Sequence, residues 1–249
     1  MHLTLTVVVL GTLATAIFGI SKTAVPAVGS FGAALLATVL PPLASTGVVL
    51  PVLIVGDLIA LGMYSRHVEI RVLLRLLPAV TVGLVLGYWT VRSAGSEASA
   101  RVIGAMLLIS GLGELLRRRA ARVAGAPAPV GDRNPVSVAL GAGAGFSTMV
   151  ANAGGPMMTL YLLRLGITQR AFLGTVAWFF FVINVLKVPL SVGLGLITPA
   201  SLVISAALVP GIVLGSLLGR RLAAAMSPEV FATVALVATS VAGLWLVVA

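Results

Sequence analysis

The sequence predicts an all-α integral membrane protein made of two inverted repeats of about five helical segments each. Three observations lead to this. Of 249 residues, 59% are hydrophobic and 9% charged, with a mean hydropathy of +1.17, whereas a soluble domain is about a quarter charged. Apolar runs of about 20 residues, the length that crosses a bilayer core, recur from end to end. A single long hydrophilic stretch, "RRRAARVAGAPAPVGDRNP", divides those runs into two groups. A β-barrel would instead show short alternating segments, and the sequence has none.

Apolar runs read against their breakers give ten segments: 3–20, 23–41, 44–63, 70–91, 100–116, 135–151, 155–165, 170–192, 197–219 and 228–248. The first holds a cleavage-like "ATA" at Ala14–Ala16, but no basic residue leads it, so it is read as retained. The second opens in "GISKTAVP" (Gly19–Pro26), and the third lies between Pro41-Pro42 and Arg66-His67. The fourth carries Pro78, Gly83 and Gly87, and the fifth runs into the arginines of the linker. The sixth starts at Pro135 and ends in "GFSTMVANAGGP" (Gly145–Pro156), which hands over to the short seventh. The eighth closes near Pro189 and the ninth carries Pro210, Gly215 and Gly219; the tenth opens at Pro228-Glu229. The organisation is thus a first membrane repeat at 1–116, a basic cytoplasmic linker at 117–134 and a second repeat at 135–249.

The halves match in order. "LLPAVTVGLVLGYW" from Leu76 and "LVPGIVLGSLLGRR" from Leu208 share a proline with glycines five and nine residues later. Gly47 and Asp57 fall opposite Gly174 and Asn184 at the same ten-residue spacing. An odd number of segments per half inserts the second copy upside down. The charges agree: loops 64–69, 117–133 and 220–227 carry basic residues and 165–169 is flanked by Arg164 and Arg170, while 41–44 and 193–196 are uncharged. The 92–99 loop, with Arg92 and Arg101 against Glu97, is the imperfect fit. Excess Lys/Arg marks cytoplasmic loops, which places both termini outside; the expected location is a bacterial inner membrane.

The net charge of +10 therefore reports topology, and nucleic acid is excluded as a partner. The absence of cysteine removes disulfides and thiolate metal sites. The two histidines, His2 and His67, leave little for a metal, and no cofactor is expected.

The two breaks carry the functional reading. Interrupted helices at matching places in an inverted repeat point to a transport site near the midplane. Half-helix N-termini offer free N–H groups and a positive dipole end to an anion. Glycine lets the ligand approach the backbone, and proline is tolerated where a helix restarts; Pro26 and Pro156 stand at those starts. Segments one and two, and six and seven, are read as broken or re-entrant.

On these residues, above all "GFSTMVANAGGPMMTLYLLRLGITQRAFLGTVAWFFFVINVLKVPL" (Gly145–Leu190), the chain resembles the TauE/SafE sulfite exporter family, also called the 4-toluene sulfonate uptake permease family. The first half departs from the usual glycine string and carries Lys22 instead. The resemblance implies transport of small anions such as sulfite, sulfonates or sulfur-containing organic acids.

The candidate substrate-binding residues are Lys22, Ser21, Ser147, Thr148, Asn152, Gly154, Gly155, Asn184 and Lys187. Lys22 and Lys187 are the only lysines; charge at membrane depth faces a cavity or a partner, although each could instead snorkel. Asn184 and Lys187, three apart, share a helix face. Asp57, the one acid deep in an apolar run, is assigned to coupling or to an ion pair: it either carries a proton or neutralises a lysine. Ser21, Ser147, Thr148 and Asn152 can equally satisfy backbone groups freed at the breaks. Trp178 either lines the path or packs. The expected partners are a small anion and the lipid bilayer, with proton coupling and a homodimer left open. The alternatives are a non-transporting scaffold and, remotely, an intramembrane hydrolase, which would need a base beside Ser147.

Overall fold

The computed structural model describes residues 4–94 and 135–248. These residues form α1 (Leu5–Thr23), a 3-10 turn (Pro26–Val28), α2 (Gly29–Ala37), α3 (Pro42–Tyr64), α4 (Ile70–Ala94), α5 (Pro135–Ala151), α6 (Gly155–Leu165), α7 (Gln169–Gly193), α8 (Pro199–Ala225) and α9 (Pro228–Val248). No strand occurs among them. Segment five and most of the linker lie outside the described residues.

Prolines and polar caps set the helix limits. Pro42, Pro199 and Pro228 sit in first turns, where the missing N–H costs nothing. The Thr168 hydroxyl accepts from the Ala171 N–H, and Thr198 and Ser201 cap each other reciprocally. Gly166 ends α6 in the left-handed region at φ 65°.

Five helices among the described residues are long and apolar enough to cross a membrane: Leu5–Thr23, Ala44–His67, Ile70–Ser93, Gln169–Gly193 and Pro199–Ala225. Their outer faces are apolar; Leu5, Val203, Leu214 and Leu74 are at least 60% exposed. An apolar exterior on this scale belongs in lipid. The expected segment at 23–41 is shorter than the sequence suggested. Pro26 removes a donor and the chain turns at Thr38–Leu40 before Pro41, leaving nine helical residues in α2. At 1.5 Å per residue that is roughly 13 Å, under half a bilayer core. The 11 residues of α6 fall short in the same way.

The long helices pack through glycines. A side chain on Gly19 would collide with the Ile212 carbonyl and the Ser216 amide of α8, and one on Gly215 with the Ala16 carbonyl of α1. Likewise, Gly145 of α5 lies on the Val80 carbonyl and Leu84 amide of α4, and Gly83 on the Ala142 carbonyl. Close backbone approach of this kind is how membrane helices gain packing energy without a hydrophobic drive. Successive contacts ascend together, so α1 runs parallel to α8 and α4 parallel to α5. Thr15 and Thr23 add hydroxyl bonds from α1 to the Leu208 and Ser216 carbonyls of α8, at 3.0 and 2.8 Å.

By contrast α3 and α7 are antiparallel. Gly47, early in α3, rests on the Leu196 carbonyl just past α7, while Gly174, early in α7, rests on the Tyr64 carbonyl at the end of α3. The buried core has two parts. One joins α1, α2, α3 and α8 through Phe18, Leu36, Val52 and Leu208; the other joins α4 to α7 and α9 through Leu84, Met158, Phe179 and Phe231.

Gly145→Ala and Gly215→Ala should each lower the detergent melting temperature, by an amount matching the 1–3 kcal/mol that overpacking typically costs. Gly193→Ala, which meets nothing within 4 Å, should stay within about 2 °C of the parent. Thermal denaturation monitored by size-exclusion recovery checks both.

Candidate functional site

Both breaks end a helix without wasting backbone groups. At the first, the Ala24 N–H bonds to the Ile20 carbonyl at 2.8 Å and the Ser21 hydroxyl donates to the Pro26 carbonyl at 2.8 Å. At the second, Asn152 takes a left-handed conformation at φ 52°, a region that asparagine tolerates better than most residues. The Asn152 and Ala153 amides then return to the Thr148 and Ser147 carbonyls, each at 3.2 Å. The two breaks touch: a side chain on Gly155 would strike the Pro26 carbonyl.

Around this contact the charged residues are paired. Lys22, in the last turn of α1, places its ammonium 2.6 Å from Asp57 Oδ1 of α3 and 4.3 Å from the Phe180 ring centre of α7. The other oxygen of Asp57 accepts from Asn184 Nδ2 at 2.6 Å. Lys187 donates to the Thr148 carbonyl at 2.6 Å and to the Asn152 side-chain oxygen at 2.5 Å. Its ammonium therefore caps the C-terminal end of α5, where the helix dipole favours a cation. Asp57 is fully buried, Lys187 is 2% exposed and Lys22 5%, so neither lysine snorkels to a surface. At such depth a charge is tolerated only when partners surround it.

Of the candidate residues, Ser21, Lys22, Thr148, Asn152, Gly155 and Asn184 line a cavity of about 20 Å³ at the junction of the breaks, roughly the room one water needs. Asp57 and Lys187 stand behind the wall as charge partners. Ser147 and Gly154 do not line it. The Ser147 hydroxyl donates to the Gly143 carbonyl of its own helix at 2.7 Å, and Gly154 leaves space for Thr148 Oγ1. Trp178 points elsewhere, donating to the Ser65 carbonyl at 3.3 Å.

Sequence reasoning missed Phe18, Leu53 and Phe180 as cavity walls. The signal was present: Phe18 is four residues before Lys22, and Phe180 is four before Asn184 and seven before Lys187, all helix-face spacings. Among the described residues no group of histidine, cysteine or acidic side chains could hold a metal ion.

A family model described as Sulfite exporter TauE/SafE matches residues 3–246. The chain belongs to that family. It is a transporter family and not an enzyme family, and with its apolar helices the chain is a multi-pass membrane protein. No curated protein and no solved structure matches the chain.

If the Lys22–Asp57 pair neutralises a buried charge, the two single variants and the double variant will not add. Asp57→Ala should destabilise by about 3–5 kcal/mol by stranding the ammonium. Adding Lys22→Met should recover most of that loss. A double-variant cycle read by thermal unfolding checks this; strict additivity would show that the pair is uncoupled.

Proposed function

We propose that the chain is a secondary transporter of a small organic or sulfur-containing oxyanion, such as sulfite, a sulfonate or a carboxylate, bound where the two breaks meet. The observation that carries this is the placement of Lys22, Asn152 and the Gly155 amide around one cavity. Pro156 has no N–H and the Met158 amide bonds to the Gly154 carbonyl, so the donors left at the start of α6 are the Gly155 and Met157 amides, and the ammonium of Lys22 supplies the charge. Lys187 holds Asn152 in place and adds a second positive charge from behind. With Asp57 ionised the cluster carries a net charge of one positive unit, which a monoanion balances. A dianion is balanced when Asp57 also takes a proton, which would couple transport to a proton gradient.

An inverted five-plus-five repeat supports alternation about this site. Gly19 meets residues 212 and 216 as Gly145 meets 80 and 84, the same contact made twice with the fourth and ninth segments exchanged. The antiparallel α3 and α7 bring the matched residues Asp57 and Asn184 into a direct hydrogen bond, as a pseudo-two-fold axis between them requires. In this conformation the cavity fits a water-sized group, so an oxyanion binds when the halves separate and breaks the Lys22–Asp57 contact. The basic loops are assigned to the cytoplasm of a bacterial cell and both termini to the outside. Residues 1–116 and 135–249 act as the two repeats, with 117–134 as their cytoplasmic connection.

Purified protein in liposomes should move sulfite or a small sulfonate down an imposed gradient, and Lys22→Ala should abolish movement. The same anion should raise the melting temperature of the parent protein by several degrees and leave Lys22→Ala unmoved. If Lys22→Ala, Asp57→Ala and Lys187→Ala all left function intact, a non-transporting scaffold would replace this reading.

A further inference from the structure

A second cavity, of about 570 Å³, opens where α3 ends and α7 begins, against the last turns of α8. We infer that it binds a small water-soluble oxyanion and feeds the break through Tyr64. The inference rests on the transport reading above and adds to it a separate site on one side of the membrane.

The volume suits a small ligand, since binding pockets run from about 300 to 1,000 Å³. Its basic lining is Arg170, Arg220 and His67, and no acidic residue among those described lines it. Neither arginine has an ion pair among the described residues, and guanidinium groups match oxyanions bidentately. The cavity also receives the first turn of α7. There Thr168 Oγ1 accepts the Ala171 amide at 3.3 Å, and the Gln169 and Arg170 amides stand without intrahelical partners at the positive end of the helix dipole. Gln169 Nε2 donates to the Ala223 carbonyl of α8 at 2.9 Å, which holds the two walls together.

Tyr64 joins this cavity to the inner one. Its ring lines the large cavity, and its hydroxyl donates to the Thr23 carbonyl at 3.0 Å. Thr23 ends α1 and directly follows Lys22. On this inference the Tyr64 hydroxyl bond to Thr23 closes the route from the arginines to the end of α1 that bears Lys22, and its loss opens the way. The ring of basic residues lies on the loop-arginine side of the membrane. The matched region at the opposite face, 193–196, is uncharged.

The chain has no cysteine, so Ala224→Cys on the cavity wall reports by itself. In purified protein it should react at least about tenfold faster with a sulfonate-bearing thiol reagent than with a quaternary-ammonium one, as a charged cleft concentrates counter-ions. Adding Arg170→Gln and Arg220→Gln should erase that preference. Millimolar methanesulfonate, which does not attack the reagent as sulfite does, should slow the labelling of Ala224→Cys and lose this effect in the arginine variants. An equal rate for both reagents, or no protection by methanesulfonate, overturns the site. Protection that needs phosphatidylglycerol nanodiscs and ignores methanesulfonate also overturns it, by showing a lipid phosphate in the cavity.

Tyr64→Phe should speed the labelling of Ser21→Cys, behind the gate, by about tenfold and leave Ala224→Cys unchanged; equal Ser21→Cys rates overturn the gate. Lys22→Gln separates the two readings. Protection at Ala224→Cys should persist in Lys22→Gln while transport stops. With Lys22 in place, transport without protection refutes this inference alone, and protection without transport refutes the transport reading.

Discussion

Hydrocarbon supplies neither water nor counter-ions, so Lys22, Asp57 and Lys187 must be answered by the protein itself. Asp57 of α3 takes Lys22 of α1 on one oxygen and Asn184 of α7 on the other. Lys187 of α7 takes the end of α5 through Thr148 and Asn152. Four helices are thereby tied at one depth by groups that cannot be left unpaired.

The backbone obeys the same rule. A helix that stops inside a membrane exposes carbonyls at its end and amides at the next start. At the first break a serine hydroxyl reaches the Pro26 carbonyl; at the second a lysine ammonium and a left-handed asparagine serve the end of α5. Glycines then let the breaks meet, as Gly155 does against Pro26. Packing elsewhere is by close helix contact, with Gly19 against α8 and Gly145 against α4.

Much of this was legible in the residues. Apolar runs and prolines placed α3, α4, α7, α8 and α9 within a few positions, because a bilayer demands length and apolarity and little else. Lys22, Asp57 and Lys187 stood out because ionisable residues are so rare in such runs. What misled was the second segment, where apolarity continues through 23–41 although Pro26 and Pro41-Pro42 leave only a nine-residue helix. Hydropathy measures transfer to lipid and is blind to a chain that stops partway. Ser147 misled in a similar way: its place in the break suggested a ligand, and its hydroxyl instead bonds back to Gly143.

The sequence by itself determined that the chain spans a membrane, where most of its helices lie and which few charges lie within, since these follow from transfer energies and backbone chemistry along one strand of residues. Partnership was decided by tertiary structure. That Asp57 serves Lys22 rather than Lys187, that Lys187 caps α5, and that Arg170 and Arg220 line one cavity are facts about residues on different helices, far apart in the chain. Each depends on how α1, α3, α7 and α8 cross, and a crossing is set by glycine-to-backbone contacts whose partners no local spacing reveals.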